Sequence, residues 1–332
     1  MNSRVQIDRR RTPENASLLE KREVWESLLS DRPTTDPKYF YDDAGSELFE
    51  RITALDEYYQ TRTELRLLKS VAHEIIATAR PHEMVELGSG AGLKVHLLLD
   101  AIRDRGLLTS CVLLDINETF LETSAIRLAN DYPELLVRGV VGDFTRDLEA
   151  VGVGPPRLFV FLAGTIGNLH PDSLSDFLSM VRRTMVADDR FLVGLDLVKD
   201  RERLEAAYND SEGVTAAFNR NVVSVLNARF GTDFVPSLFE HVAFWNEREQ
   251  WIEMRLRAMR PMQVTLPGDP RMLVLRKGEE IRTEISCKYT EQTISKALDG
   301  TDLVLERWWT DPEALFALAL VKPRAPEPGA TS

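Results

Sequence analysis

The spacing of apolar and polar residues changes along the chain and separates two kinds of sequence. Between about residues 59 and 197, stretches with helical apolar spacing alternate with short apolar runs, which is typical of a parallel α/β sheet. Residues 61–78 predict an amphipathic helix with Leu65, Leu68, Val71, Ile75 and Ile76 on one side. The strand candidates are residues 84–87, 111–114, 136–141, 158–162 and 191–195. The last two runs are almost wholly apolar, as expected of strands covered on both faces, so we predict a doubly wound, Rossmann-like sheet.

A different pattern begins after Lys199. Residues 203–229 are helical and rich in Asn, and strand-like alternation follows at residues 251–256 and 273–275. Residues 284–289 then return toward the sheet, and residues 315–321 supply a last apolar strand. We therefore predict that an α+β unit, residues 199–287, is inserted before the final strands of the sheet.

Composition narrows the class of protein. The 332 residues include 41 Lys and Arg against 53 Asp and Glu, a net charge of −12. This surplus argues against a nucleic-acid partner, because phosphate binding requires an excess of basic side chains. Two cysteines make no disulfide framework, the N-terminal arginines precede no signal-peptide apolar stretch, and no apolar run reaches the roughly 18 residues of a membrane helix. We expect a cytoplasmic protein with no membrane partner.

A glycine-rich segment, Gly88-x-Gly90-x-Gly92, follows the first predicted strand and precedes a predicted helix. Such a turn lets backbone pass close to a bound nucleoside. A dinucleotide fingerprint would need Gly or Ala at position 93, which is Leu, and a P-loop would need Ser or Thr after Lys94. With Glu86 at the end of the strand, the segment fits the E-x-G-x-G-x-G loop of S-adenosylmethionine-dependent methyltransferases.

Acidic residues end the next two strands. Asp115 follows the second apolar run, where a carboxylate can accept hydrogen bonds from both ribose hydroxyls of a nucleoside. Asp143 and Phe144 follow the third, where Asp can bond the adenine amino group and Phe can pack on its ring. Lys94, at the start of the next helix, can pair with the cofactor carboxylate. The alternative is that these charged residues are solvated loop positions.

Six ordered strings carry a resemblance to a known family. They are YDDAGSELF at 41–49, EYYQTRTE at 57–64, TIGN at 165–168, DLVKD at 196–200, GVTAAFN at 213–219 and WWTD at 308–311. Together they resemble the histidine-specific methyltransferases of ergothioneine biosynthesis, from about residue 39 to residue 321. The resemblance implies a cytoplasmic, monomeric, metal-free enzyme that trimethylates the α-amino group of L-histidine to hercynine with S-adenosylmethionine.

The resemblance also implies which residues bind each ligand and where the domains begin. It places Gly88, Lys94, Asp115, Asp143 and Phe144 at the cofactor, and Tyr58, Asn168, Tyr208, Met254, Glu284 and Ser286 at histidine. No dedicated general base is evident, and the nearest candidates are Tyr58, or solvent through the Asn168 loop. The expected domains are a substrate-binding domain of 16–62 and 199–287 and a methyltransferase domain of 63–198 and 288–322, between mobile ends at 1–15 and 323–332.

The residues themselves give partial support to the substrate positions. In an extended segment Glu284 and Ser286 point to one face, so they can present an acceptor and a hydroxyl to the two edges of an imidazole. Alternatively, Glu284 is a surface carboxylate, Met254 an ordinary core residue, Asn168 a turn residue and Tyr58 a packing residue. Only the family pattern selects Tyr58 over Tyr59.

This chain departs from the family pattern at one place, and the sequence also allows two other functions. Where the family has Gly-Ser before TIGN, this chain has Ala163-Gly164, which puts the detailed fit of the substrate amine in question. The same scaffold could methylate another aromatic amino acid such as a tryptophan derivative, although an indole offers one donor and no acceptor. A non-catalytic S-adenosylmethionine-binding protein is the alternative outside enzymes.

Overall fold

The computed structural model describes residues 4–9, 13–90 and 94–325. The chain divides into two compact units. The sheet unit comprises Met1–Arg10, Gln60–Val198 and Tyr289–Ser332, and the insert unit comprises Arg11–Tyr59 and Lys199–Lys288. No helix among the described residues is long and apolar enough to cross a membrane.

The strands and helices are numbered in chain order. The strands are β1 (Val5–Arg9), β2 (Glu83–Leu87), β3 (Ser110–Asp115), β4 (Leu136–Val141), β5 (Arg157–Phe161), β6 (Arg190–Asp196), β7 (Phe239–Asn246), β8 (Trp251–Ala258), β9 (Met262–Thr265), β10 (Met272–Leu275), β11 (Glu280–Cys287), β12 (Leu303–Thr310) and β13 (Phe316–Pro323). The α-helices are α1 (Pro13–Leu28), α2 (Asp43–Thr53), α3 (Tyr59–Ala79), α4 (Val95–Arg103), α5 (Glu118–Asp131), α6 (Pro171–Thr184), α7 (Arg201–Ala206), α8 (Val214–Phe230) and α9 (Glu291–Leu298).

The sheet unit contains an eight-stranded sheet in the order β1-β4-β3-β2-β5-β6-β13-β12. The first six strands in this order are parallel, and β13 runs antiparallel to both β6 and β12. The predicted doubly wound, Rossmann-like sheet is therefore confirmed, with an antiparallel pair added at one side. The chain goes from β2 to β3 and β4 on one side and later to β5 on the other, so ligands are expected beyond the carboxyl end of β2.

Helix α3 shows how the sequence pattern becomes buried surface. Its buried face includes Leu68, Ile75 and Ile76, all fully buried, and these residues belong to the core that packs on the sheet. Leu65, predicted on the apolar side, is 39% exposed, whereas Glu64 is fully buried. The predicted apolar side was therefore wrong at position 65, because the buried face of the helix includes position 64.

The N-terminal residues differ from the sequence-based expectation of a mobile segment. Residues 5–9 form strand β1, which pairs in parallel with β4 from Val5 opposite Val137 to Arg9 opposite Val141. Helix α1 then begins at Pro13. At the other end, β13 extends to Pro323, and residues 326–332 lie outside the described part of the chain.

The insert unit contains the three-stranded antiparallel sheet β11-β8-β7 and the two-stranded sheet β10-β9. Strand β11 belongs to this three-stranded sheet up to Cys287. The return to the sheet unit, expected over residues 284–289, therefore comes later, at Tyr289, which bridges to Leu197. The predicted helical region at 203–229 is two helices, α7 and α8. They are separated where Asp210 accepts hydrogen bonds from Val214 N and Thr215 N, both at 2.7 Å.

Candidate active site

The turn after β2 has the backbone conformation that its glycines permit. Gly88 and Gly90 have φ values of +69° and +44°, a region that residues with a Cβ rarely adopt. The Gly88 N–H donates to Leu114 O at 2.8 Å, which ties the turn to β3. A Cβ built on Gly88 would lie 3.9 Å from the ring of Phe144. Gly92, the third glycine of the predicted loop, lies outside the described residues.

Asp115, at the end of β3, is hydrogen-bonded to this turn. Its Oδ2 accepts from Gly90 N at 3.0 Å and its Oδ1 accepts from Asn117 N at 2.8 Å. Burial raises the pKa of Asp115, and the backbone N–H bonds oppose that rise. A carboxylate has about four lone-pair positions, so one held in this way can still accept from a ligand hydroxyl.

Glu86 is a buried acid directly before the turn. Its side chain is 5% exposed, and Oε2 has no hydrogen-bond partner among the described residues. Burial, followed by the neighbouring Asp115 charge, raises the pKa of Glu86 to about 8. At neutral pH the group therefore carries a proton for most of the time and can donate a hydrogen bond.

The third strand end brings Asp143 and Phe144 to the same edge of the sheet. Asp143 is 6% exposed, and its Oδ1 accepts from Thr145 N at 3.0 Å and Thr145 Oγ1 at 2.5 Å. The half-buried ring of Phe144 packs edge-on against Phe161, with ring centroids 5.0 Å apart. Because parallel strands end at one edge, the sheet brings together Gly88, Asp115, Asp143 and Phe144, as the sequence analysis predicted.

Lys94 contacts a residue that the sequence analysis did not select. Its Nζ is ion-paired with the fully buried Glu64 of α3, whose carboxylate also accepts from Ala163 N at 2.9 and 3.0 Å. Gly194 leaves room for this acid, since a Cβ there would lie 2.1 Å from Glu64 Oε1. The signal in the sequence was a carboxylate on the apolar face of an amphipathic helix. Binding of the cofactor by Lys94 stays a prediction.

The segment after β5 carries the departure from the family pattern. Ala163 and Gly164 both have left-handed backbone, with φ of 63° and 67°. A short 3-10 helix, Thr165–Asn168, follows them. The Asn168 side chain is half-buried, and no described residue hydrogen-bonds to it. Its amide therefore keeps its full donor and acceptor capacity for a ligand.

In the insert unit, a β-bulge sets the direction of the predicted substrate residues. Arg282 pairs with Arg255, but Glu284 pairs with Met254, so Thr283 is an extra residue in β11. Without the bulge, Glu284 and Ser286 would share a face with Arg282 and Arg255. The bulge moves them to the face of Met254, which is 2% exposed. The predicted common face of Glu284 and Ser286 is present, and Met254 lies on it.

Glu284 has a half-buried carboxyl group with few neighbours that would stabilise its charge. Burial raises its pKa to about 8, and the opposing charge of Lys288 lowers it only in part. No residue in the described ranges donates a hydrogen bond to its carboxylate. Buried carboxyl groups ordinarily have partners, so a half-buried one that lacks them is a candidate for ligand binding.

Ser286 lies in a buried group of three polar side chains. Tyr208 donates from its hydroxyl to Ser286 Oγ at 2.8 Å, and Lys288 Nζ donates to Ser286 Oγ at 2.8 Å and to the Tyr208 hydroxyl at 3.0 Å. Ser286 is 6%, Tyr208 7% and Lys288 3% exposed. The sequence analysis missed Lys288, although its position two residues after Ser286 in an extended chain put it on the same face.

A second polar network holds the bulge and Tyr208. Thr283 Oγ1 donates its one proton mainly to Asn219 Oδ1 at 2.5 Å, with Met254 O a longer second acceptor at 3.1 Å. Asn219 Nδ2 in turn donates to His241 Nδ1 at 2.8 Å, and His241 Nε2 then donates to Tyr208 O at 2.9 Å. Burial lowers the pKa of His241, which favours this neutral tautomer. Asn219 is the last residue of the family-like string at 213–219.

Tyr58 lies in an aromatic cluster of the insert unit. It is 8% exposed, and its ring meets Phe49 edge-on at 6.2 Å; Phe49 in turn lies 6.0 Å from Phe218. Its selection as a substrate residue or base stays a prediction. Nowhere in the described ranges do three or more His, Cys, Asp or Glu residues form a group that could hold a metal ion.

Comparisons with known proteins identify the family to which this chain is similar. The family described as histidine-specific methyltransferase, SAM-dependent, matches residues 20–323. The chain is 42% identical over 300 residues to the histidine N-alpha-methyltransferases of Mycolicibacterium smegmatis and Mycobacterium tuberculosis, covering 90% of this chain and 94% of each relative. It is 28% identical to ergothioneine biosynthesis protein 1 of Schizosaccharomyces pombe, over 80% of this chain and 36% of that protein.

Proposed function

We propose, from the premise that the chain belongs to the S-adenosylmethionine-dependent histidine-specific methyltransferases, that it methylates the α-amino nitrogen of free L-histidine. Three successive transfers convert histidine to hercynine, the first step of ergothioneine biosynthesis. The substrate residues are Tyr58, Asn168, Tyr208, Met254, Glu284 and Ser286. The protein acts as a cytoplasmic monomer.

The observation that carries this proposal is the pair of polar groups beside Met254 on β8 and β11. Glu284 offers a desolvated carboxyl group without a partner in the described chain, and Ser286 offers a hydroxyl on the same face. An imidazole has one N–H donor and one acceptor nitrogen, so it can use both groups. An indole would leave the Ser286 proton unmatched, and an unmatched buried polar group lowers affinity.

The residues at the carboxyl ends of β2, β3 and β4 fit the cofactor. Gly88 and Gly90 allow close approach, Asp115 can accept from ribose hydroxyls, and Asp143 with Phe144 can hold the adenine. Buried Glu86 Oε2, which lacks a partner in the described chain, is a further polar group available for a ligand. S-adenosylmethionine supplies a methyl group activated by a sulfonium centre.

The chain's own contribution is mainly to position the amine. In-line transfer needs a neutral nitrogen held against the methyl group, and such orientation can lower the barrier by roughly 7–11 kcal/mol. The Asn168 amide is available to hold the amine or the carboxylate of the amino acid. Tyr58 is the candidate for passing on the proton released in the first two steps, since its oxygen can accept that proton as its own phenolic proton leaves to solvent. As the nitrogen becomes a fixed cation, Tyr58 and Phe49 offer aromatic faces that tolerate it.

The test is incubation with S-adenosylmethionine and the twenty amino acids, followed by mass spectrometry. We expect a single product heavier than histidine by about 42 mass units, three additions of about 14 each. Glu284→Ala and Asn168→Ala should each lower kcat/KM for histidine at least about tenfold, since each removes a hydrogen bond to the substrate. Glu212→Ala, at an exposed position of the insert unit, is the matched control. A methylated tryptophan, or no product, would contradict the proposal.

A further inference from the structure

Lys288 has no part in the function proposed above, yet it is among the most deeply buried charged residues of the insert unit. Its exposure is 3%, and its Nζ donates to two hydroxyl groups, those of Ser286 and Tyr208. A buried lysine is costly unless its donors are matched. A lysine buried in this way does not serve solubility, so its position needs another explanation.

The hydrogen-bond directions in this group follow from counting donors and acceptors. An ammonium group can only donate, so both hydroxyl oxygens accept from Lys288. Tyr208 then directs its proton to Ser286 Oγ, which accepts two bonds in all. A serine oxygen has two lone pairs, and both are now used. The Ser286 proton has no acceptor among the described residues, so it remains available to a ligand.

We propose that Lys288 is a positioning residue that fixes the Ser286 hydroxyl as a hydrogen-bond donor to the unprotonated ring nitrogen of the substrate. This inference rests on the proposed function. Glu284 lies on the same face, and its carboxyl group can accept from the ring N–H in either protonation state, because the carbonyl oxygen of a protonated carboxyl group still accepts. The two side chains therefore match one neutral imidazole in one orientation. Without Lys288, the Ser286 proton can turn toward Tyr208 and present a lone pair to the substrate nitrogen, which repels it.

The test is a double-mutant cycle on the full chain, with Ser286→Ala, Lys288→Met and the double variant. Each single substitution should raise KM for histidine about tenfold, the usual effect of one hydrogen bond, with kcat within about threefold. Because Lys288 acts through Ser286, the double variant should also show about a tenfold rise. Independent roles would instead give roughly a hundredfold rise, and that additive result would overturn the inference.

Two further variants separate positioning from general structure. Lys277→Met makes the same substitution at an exposed site of the insert unit and should leave KM unchanged. Lys288→Arg keeps a donor-only group and should keep KM within about threefold of the parent value. Thermal unfolding and binding of S-adenosylhomocysteine report whether Lys288→Met is folded. If it is not, a folded Lys288→Arg variant with a tenfold higher KM would contradict the inference.

A ligand pair tests the hydroxyl direction without depending on one variant. In β-(pyrrol-2-yl)- and β-(pyrrol-3-yl)-L-alanine, CH replaces the acceptor nitrogen of histidine and one ring N–H remains. Calorimetry should show the isomer that keeps its N–H facing Glu284 binding about tenfold more weakly than histidine, with no further loss in Lys288→Met. The other isomer places its N–H against the Ser286 proton and should bind more weakly still. Equal loss for histidine and the analogues would mean a merely structural role. If the parent protein itself neither binds nor methylates histidine, the proposed function fails instead.

Discussion

At the scale of single residues, the Glu284 carboxyl group is available to a ligand but lowers the stability of the ligand-free protein. Its raised pKa of about 8 means that the folded state holds this proton more tightly than the unfolded state, so its ionisation costs stability as pH rises from about 4.5 to 8. Glu284→Gln should therefore stabilise the ligand-free protein by up to about 4 kcal/mol at pH 8 and by less than about 1 kcal/mol at pH 5, as urea unfolding can measure. The exposed Glu212→Gln is the control, and a gain that is equal at both pH values would contradict this account.

Ala163 carries a different residue-scale cost, because it has a Cβ in a left-handed conformation. Relief of this strain exceeds the added chain entropy of glycine, so Ala163→Gly should raise the free energy of unfolding by about 0.5 kcal/mol. Ala77→Gly, at an exposed position in α3, should instead lower it by about 0.5–1 kcal/mol. Urea unfolding of both variants checks the sign, and two losses would show that Ala163 is unstrained.

At the scale of elements, the bulge at Thr283 determines which face of β11 meets Met254. Thr283→Val keeps the shape of the side chain but leaves the buried Asn219 Oδ1 without its donor, at a cost of about 1–3 kcal/mol. We also expect weaker histidine binding and unchanged binding of S-adenosylhomocysteine. Thr78→Val removes a hydroxyl that bonds Glu74 O on the exposed side of α3 and should change stability by less than about 0.5 kcal/mol. Unaltered histidine affinity in Thr283→Val would show that the hydrogen bonds of Thr283 at the bulge do not matter for histidine binding.

The strands that the sequence pattern failed to predict share a position in their sheets. β1 and β12 are the two edges of the large sheet, β7 is an edge of the three-stranded one, and β9 has β10 as its one neighbour in the two-stranded sheet. An edge strand has neighbours on one side only and mixes polar with apolar residues, so it lacks the continuous apolar run that marked β5 and β6. In the large sheet, the apolar pattern therefore predicted the interior strands, and the edge strands β1 and β12 form by pairing with β4 and β13.

At the scale of the whole molecule, the sequence predicted the acidic residues at the strand ends better than the buried charges Glu64 and Lys288. Asp115 and Asp143 could be found because parallel strands end at one edge. Glu64 was missed because it is a charge on a helix face expected to be apolar, and Ala163, which donates to it, is distant in sequence. Lys288 was missed because its bond to Tyr208 joins residues that are distant in sequence. Such residues become predictable only when a buried charge in an apolar pattern is treated as a signal.

The division of residues between the two units predicts where each ligand protects the backbone. By hydrogen exchange, S-adenosylhomocysteine should slow amides at residues 88–90, 115–117 and 143–147, which surround the strand ends of the sheet unit. Histidine should slow amides at residues 284–288 in the insert unit and at Asn168. In Glu284→Ala, the histidine effect should vanish while the S-adenosylhomocysteine pattern persists, because the substitution removes an imidazole partner and leaves every cofactor residue in place. Histidine protection that survived Glu284→Ala would place the imidazole on other residues.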